Sequence, residues 1–264
     1  VRFGYLAAPW LIRKEIDASF DLSEEQQTLV QQVVREQLDR TARDMFPKYA
    51  ALVREQGALV AQGVWNSEAV HKAGDRGLEL FRETFRPMLP VFADFLAKID
   101  DRQIAIFSER LDRANKELSE RAGRDEARRR KHRYETYARR FETWSGNLES
   151  EQRIALEKDL QELVPVEDLQ IAHRRKVLGE LLAALRAHDR ARVLAHMERE
   201  LLTPEKSRSP EYHAAFERNR LVSAAAYARL AASLTEKQKK KVLKNATSVA
   251  DDLEAISREA ATKK

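Results

Sequence analysis

The sequence predicts an all-α protein, an elongated bundle of about seven to eight helices, on three observations. Glycine (8) and proline (7) are scarce in 264 residues, so few positions interrupt a helix. Period-two alternation and Asn-Gly or Asp-Gly hairpin turns are missing. Apolar residues, 43% of the chain, recur at steps of three and four among charged residues that make up 34%. That is the pattern of amphipathic helices closing over a core.

The elements follow in order. The apolar N-terminal residues Phe3, Tyr5, Leu6, Trp10, Leu11 and Ile16 are expected to pack on the body; a position near a membrane is the rival reading. Over residues 24–57 a stripe of Leu29, Val30, Val33, Leu38, Met45, Tyr49, Leu52 and Val53 marks one helical face, with Pro47 kinking or splitting it near Phe46. A second helical region starts at Asn66 or Ser67 and bends at Pro87 and Pro90. Asp100 caps a long third helix striped by Ile104, Phe107, Leu111, Ala114 and Leu118. It runs on through Tyr134, Tyr137, Phe141 and Trp144 unless Gly123 interrupts it.

Ser145-Gly146-Asn147 then breaks the chain, and a shorter helix ends before Pro165. Residues 166–202 carry Leu169, Val177, Leu181, Leu185, Val193 and Leu194, with a turn at His188-Asp189. Ser209-Pro210 starts the next helix, serine as cap and proline in the first turn. The last two helices span about 211–233 and 236–260. The organisation reads as two lobes, 1–146 and 147–264, or as one continuous domain.

Four of these helices begin alike. Leu22-Ser23-Glu-Glu-Gln26, Ile99-Asp100-Asp-Arg-Gln103, Leu148-Glu-Ser-Glu-Gln152 and Leu234-Thr235-Glu-Lys-Gln238 each set an aliphatic residue four positions before a glutamine. This is a capping box: the Ser, Asp or Thr side chain accepts from an early helix amide while the glutamine reaches back to the amide of the cap. The aliphatic residue stands where a hydrophobic staple packs. With Glu149 at the cap, the third copy is imperfect. The copies are unequally spaced, which excludes a solenoid of fixed period. Helix starting is the plain role for such a box in any all-α protein.

These boxes resemble the "LTxxQ" signature of the periplasmic Spy and CpxP-like proteins, small helical chaperone or stress-sensing proteins. More of the chain resembles a family of proteobacterial lipoproteins of unknown function. Arg2 and Tyr5 match an Arg-x-x-Tyr segment that follows the lipidated cysteine in that family. Phe20, Leu22 and Gln26 match its first box, and Phe46, Pro47 and Tyr49 a "Leu/Phe-Pro-x-Tyr" segment. Tyr212, Asn219, Leu234, Thr235 and Gln238 match its closing pair of helices. The resemblance implies an exported helical protein on the periplasmic side of the bacterial envelope, attached through a lipidated cysteine upstream of Val1. It supplies no catalytic residue.

Chemistry is little represented. Cysteine is absent, which removes disulfides, thiolate zinc sites and cysteine nucleophiles. Glycine-rich phosphate loops, H-E-x-x-H and G-x-S-x-G are missing too. His173, His188 and His196 are expected to face solvent. No catalytic residue, metal ligand or cofactor is assigned, and the protein reads as a non-enzyme acting through protein binding, as a scaffold or in a chaperone-like role on an unidentified partner or client.

The sharpest electrostatic feature is the basic run Arg128, Arg129, Arg130, Lys131 and Arg133, a candidate interaction surface. A nucleic-acid-binding role through this face is the alternative function. A solvated helix face is the plainer reading, because Asp125, Glu126, Glu135 and Glu142 interleave with the run and the net charge is only +5.

Overall fold

The computed structural model describes residues 1–123 and 125–262, the side chains of Phe3 and Arg121 excepted. Among the described residues the protein is all-α, with twelve α-helices and no strand. They are α1 (Arg2–Phe20), α2 (Glu24–Asp44), α3 (Phe46–Ala61), α4 (Ser67–Phe85), α5 (Leu89–Leu96), α6 (Asp101–Ala122), α7 (Glu126–Ser145), α8 (Ser150–Asp159), α9 (Glu167–Arg186), α10 (Arg190–Leu202), α11 (Pro210–Ala232) and α12 (Glu236–Thr262).

Twelve helices replace the expected seven to eight because the sequence signals for bends act as full stops and because the N-terminal stretch, expected only to pack, is itself a helix, α1. Pro47 falls in the first turn of α3 and Pro90 in the first turn of α5, where a missing N–H costs nothing, so each proline opens a new helix rather than kinking an old one. His188 adopts φ +49°, which ends the α9–α10 run in a tight turn. Gly123 lies in the break between α6 and α7. Asn66 and Ser209 cap α4 and α11, accepting from the Ala69 and Tyr212 amides at 2.9 and 3.1 Å.

The helices enclose two main hydrophobic cores. The first joins Phe20 and Leu22 to Val30 and Val34 of α2, Ala93 of α5, Ile99, Ile104 of α6, Ala184 and Leu185 of α9 and Val193 of α10. The second joins Val60 of α3, Ala138 and Phe141 of α7, Leu148, Leu156, Leu160 and Leu163 to Ala226, Leu230 and Ala231 of α11, Leu234 and Val242 of α12. Both cores take residues from either side of residue 146. A smaller cluster of Ala42, Ile256 and Ala260, with Tyr5 and Phe46 against it, fastens α1 and the end of α12 to the α2–α3 junction.

Helix α12 runs against α3, with further contacts to α2 and α7. The α3–α12 crossing is close enough that a Cβ on Gly57 would sit 2.3 Å from Cβ of Ala246. Across the same pair Arg54 holds Asp251 and Glu254 at 2.8 and 2.7 Å. These ion pairs are solvent-facing and add little stability beside the packing.

Helix α1 packs only on one side. Tyr5, Ile16 and Phe20 turn inward, the Tyr5 hydroxyl donating to Asp39 at 2.7 Å. Burial, first, and the Asp39 carboxylate push the Tyr5 phenol above its ordinary pKa. Leu6, Trp10 and Leu11 stand on the outer face, 71%, 53% and 51% exposed, so the packing expected of the whole N-terminal stretch holds for only part of it. Phe3 lies outside the described side chains. No described helix is long and apolar enough to cross a membrane.

Candidate functional site

The four boxes are brought together in two pairs. The Gln26 and Gln103 amides exchange hydrogen bonds at 3.2 and 2.7 Å, tying the start of α2 to the start of α6. Gln152 and Gln238 do the same at 2.9 and 2.9 Å, tying α8 to α12. In each case the glutamine Oε1 also accepts from the backbone N–H of its own cap: Ser23 at 3.0, Asp100 at 3.1, Glu149 at 2.9 and Thr235 at 2.9 Å.

The second pair fills its whole hydrogen-bonding capacity. Gln152 Nε2 donates its other proton to the Ser233 carbonyl at 2.9 Å and Gln238 Nε2 to the Asn147 carbonyl at 3.0 Å. Gln103, Gln152 and Gln238 are buried, as are Leu22, Ile99, Leu148 and Leu234. The first clasp therefore rests on the first core and the second on the second core. These residues are structural joints, with Ser23, Asp100 and Thr235 at the surface and the glutamines turned toward the cores.

The basic run on α7 is interleaved with carboxylates, though Arg128, Arg130 and Lys131 keep most of their surface in solvent. Arg128 meets Asp125 at 3.1 Å; Arg129, Arg130 and Arg133 meet Glu126 at 2.9, 2.8 and 2.8 Å; Lys131 reaches Glu135 at 4.0 Å. Arg133 also holds Glu167 of α9. Hydrogen bonds from Arg130, Arg129 and Arg133 hold the Glu126 carboxyl down at about 2.

His196 and His173 correct the expectation of solvent-facing histidines. His196 is 7% exposed and His173 half-buried; only His188 is exposed, with Asp101 3.4 Å away. Burial lowers the pKa of both His196 and His173, so both are held neutral. The period of α9 and α10 contains this signal, since His196 lies three residues from the buried Val193.

Glu180, His196 and Glu200 bring three ligand-type atoms within 4.8 Å of one another. Arg199 already serves all three: its guanidinium contacts Glu180, lies 3.1 Å from His196 Nδ1 and donates to Glu200 at 2.8 Å. Ser207 Oγ adds a bond to Glu200 at 2.7 Å. With a cation against every member, the group is a partly exposed ion-pair network joining α9 to α10.

An apolar cleft with room for a ligand lies beside the second core. It has a volume of about 660 Å³ and opens between α3, α4, α7, α11 and α12. Leu52, Val53, Gly57 and Val60 come from α3, Ala73 from α4, Phe141 and Trp144 from α7, and Val242 and Ala246 from α12; Trp65 joins them from the α3–α4 connection. That volume is in the range of small-ligand sites. Four lining groups are polar: Gln56, Arg140, Thr143 and Tyr227.

Tyr227 stacks against Phe141 at 5.7 Å and leans on Tyr137 at 5.5 Å. Burial, first, and the neighbouring Tyr137 push its phenol up to about 12, so it stays a donor at neutral pH. Nothing at the level of motif announced this cleft. Its walls come from residues spread between Leu52 and Ala246; Leu52 and Val53 stood in one expected stripe and Phe141 and Trp144 in another, and nothing local joined the two.

Comparison with curated proteins and with solved structures finds no match. A family model described as a family of unknown function, DUF6279, matches residues 18–213, a span that contains three of the four boxes and ends near the start of α11. The chain therefore belongs to this family of unknown function, DUF6279.

Proposed function

We propose that the protein is a non-enzymatic binding protein of the bacterial cell envelope, working on the periplasmic side and held there by a lipid on a cysteine preceding Val1. Its binding element is the apolar cleft, and the observation that carries this reading is the composition of the walls. Of fourteen lining residues none is an aspartate, glutamate, histidine or lysine, so no base stands there to activate the Thr143 or Tyr227 hydroxyl. Trp65, Phe141, Trp144 and Tyr227 supply large apolar faces, as ligand-holding pockets do.

Envelope attachment is supported by the lipoprotein-like start at Arg2 and Tyr5 and by the outward Leu6, Trp10 and Leu11 of α1, an apolar strip of the kind that settles at a membrane interface. The partner or client enters this reading as the owner of an apolar group that fits the cleft. A chaperone-like role gains little from the boxes, whose glutamines are spent on one another, and a nucleic-acid role gains little from the run on α7, where carboxylates interleave with the cations.

Titration with the neutral probe N-phenyl-1-naphthylamine tests the reading. One saturable site is expected, with affinity reduced at least about ten-fold in Ala73→Trp, which fills the cleft from the half-buried surface of α4. Absence of binding by the wild-type chain, or unchanged binding by a folded Ala73→Trp, overturns it.

A further inference from the structure

Three donors in the cleft have no acceptor. The Gln56 amide is oriented by Trp65, whose indole N–H can only donate: it meets Gln56 Oε1 at 2.7 Å, which leaves the Gln56 NH2 free. Among the described residues that NH2, the Tyr227 hydroxyl and the Arg140 guanidinium have no hydrogen-bond or ion-pair partner. Arg140 thus differs from Arg129, Arg130 and Arg133 earlier on α7, which Glu126 holds. The three come from α3, α11 and α7, and all line the same apolar space.

An apolar body alone would fill the walls and leave these donors unanswered, and desolvating a donor without an acceptor is unfavourable. A cationic ligand would meet Arg140 with like charge. A ligand with an apolar chain and an anionic oxygen head satisfies both the walls and the donors. We infer that the cleft takes an anionic amphiphile, a single apolar chain ending in a carboxylate, with Arg140, Tyr227 and Gln56 binding the head and Trp65, Phe141 and Val242 the chain. This rests on the binding reading above and adds the chemistry of the ligand to it.

Two of the three tryptophans, Trp65 and Trp144, stand in the cleft wall, and the third, Trp10, is on the outer face of α1. The variant Trp10→Phe therefore makes intrinsic fluorescence a report on the cleft. Titrations of this chain with hexadecanoate and with hexadecan-1-ol, below their aggregation concentrations at pH 8, separate head from chain. The carboxylate is expected to bind at least about ten-fold more tightly than the alcohol, since hydrogen bonds to a charged group are the strong ones. Arg140→Gln, a change at an exposed residue, is expected to bring the two affinities within about three-fold while leaving the alcohol unchanged.

Equal binding of the two compounds by the parent chain overturns the anionic preference and leaves the apolar cleft standing. A preference that persists in Arg140→Gln overturns the assignment of the head group to Arg140. Binding of neither compound, together with failure of the neutral probe, removes the cleft as a ligand site altogether.

Discussion

At the scale of single residues, the glutamines explain why the capping boxes never use the glutamate that a helix start accepts equally well. A glutamate at 152 keeps the bond back to its cap but loses both donors, to the Ser233 carbonyl and to Gln238 Oε1, inside a buried site. Gln152→Glu is expected to cost about 1–3 kcal/mol in urea unfolding, and Gln26→Glu, at the half-buried end of the other pair, less. The cap was legible because Ser23 and Gln26 are three residues apart. The pairing was not, because the partners lie 77 and 86 residues away and nothing local marks which glutamine meets which.

The buried histidines bring a pH dependence with a definite sign. Burial, against the opposing pull of Glu200, holds the His196 pKa below its ordinary 6.5, and the same holds for His173. The unfolded chain therefore binds more protons as pH falls through 6.5, and the stability from keeping these rings neutral is full above that value and lost below it. Thermal unfolding followed from pH 7.5 to 5.5 is expected to show a falling midpoint. His196→Gln is expected to flatten the slope; an unchanged slope in both His196→Gln and His173→Gln contradicts the assignment.

Among the elements, the α3–α12 pair sets the second core and one wall of the cleft, and its closeness depends on Gly57. Alanine is the better helix former, so a solitary α3 would gain from Gly57→Ala. In the folded protein the new methyl meets Ala246 on a helix rigidly packed over its length. Overpacking is expected to dominate, with a net loss of about 1–3 kcal/mol. Gly179→Ala in α9, where open space surrounds the Cβ position, is expected to gain up to about 1 kcal/mol. Paired denaturation curves check both signs. The helices themselves were largely readable from prolines, caps and period, with two systematic errors. Pro47 splits its run as one of the two expected outcomes, whereas the bend expected at Pro87 and Pro90 turned out to be an end; with the breaks at Gly123 and His188 and the added α1, the count rises to twelve. The stripe read over residues 24–57 holds the buried Val30 and Met45, but it also took in Leu29, which is 48% exposed, and left out the buried Val34. Leu29 and Val30 are adjacent, and hydropathy alone does not say which of the two faces the core.

Across the whole molecule, each core is closed by one glutamine clasp, and the cleft lies on the flank of the second core where α3, α7, α11 and α12 fall short of complete packing. The all-α class followed directly from composition and period. The cleft did not, because a cavity depends on which faces of five helices meet, and a one-dimensional pattern records only that each face is apolar. The central claim is that binding takes place in this space. Hydrogen–deuterium exchange with and without hexadecanoate tests it most directly. Added protection is expected in the amides of the wall segments, residues 52–60 of α3 and 140–144 of α7, with α1 and the α9–α10 network unchanged. Protection confined to the exposed strip of α1, or none anywhere, would contradict the account.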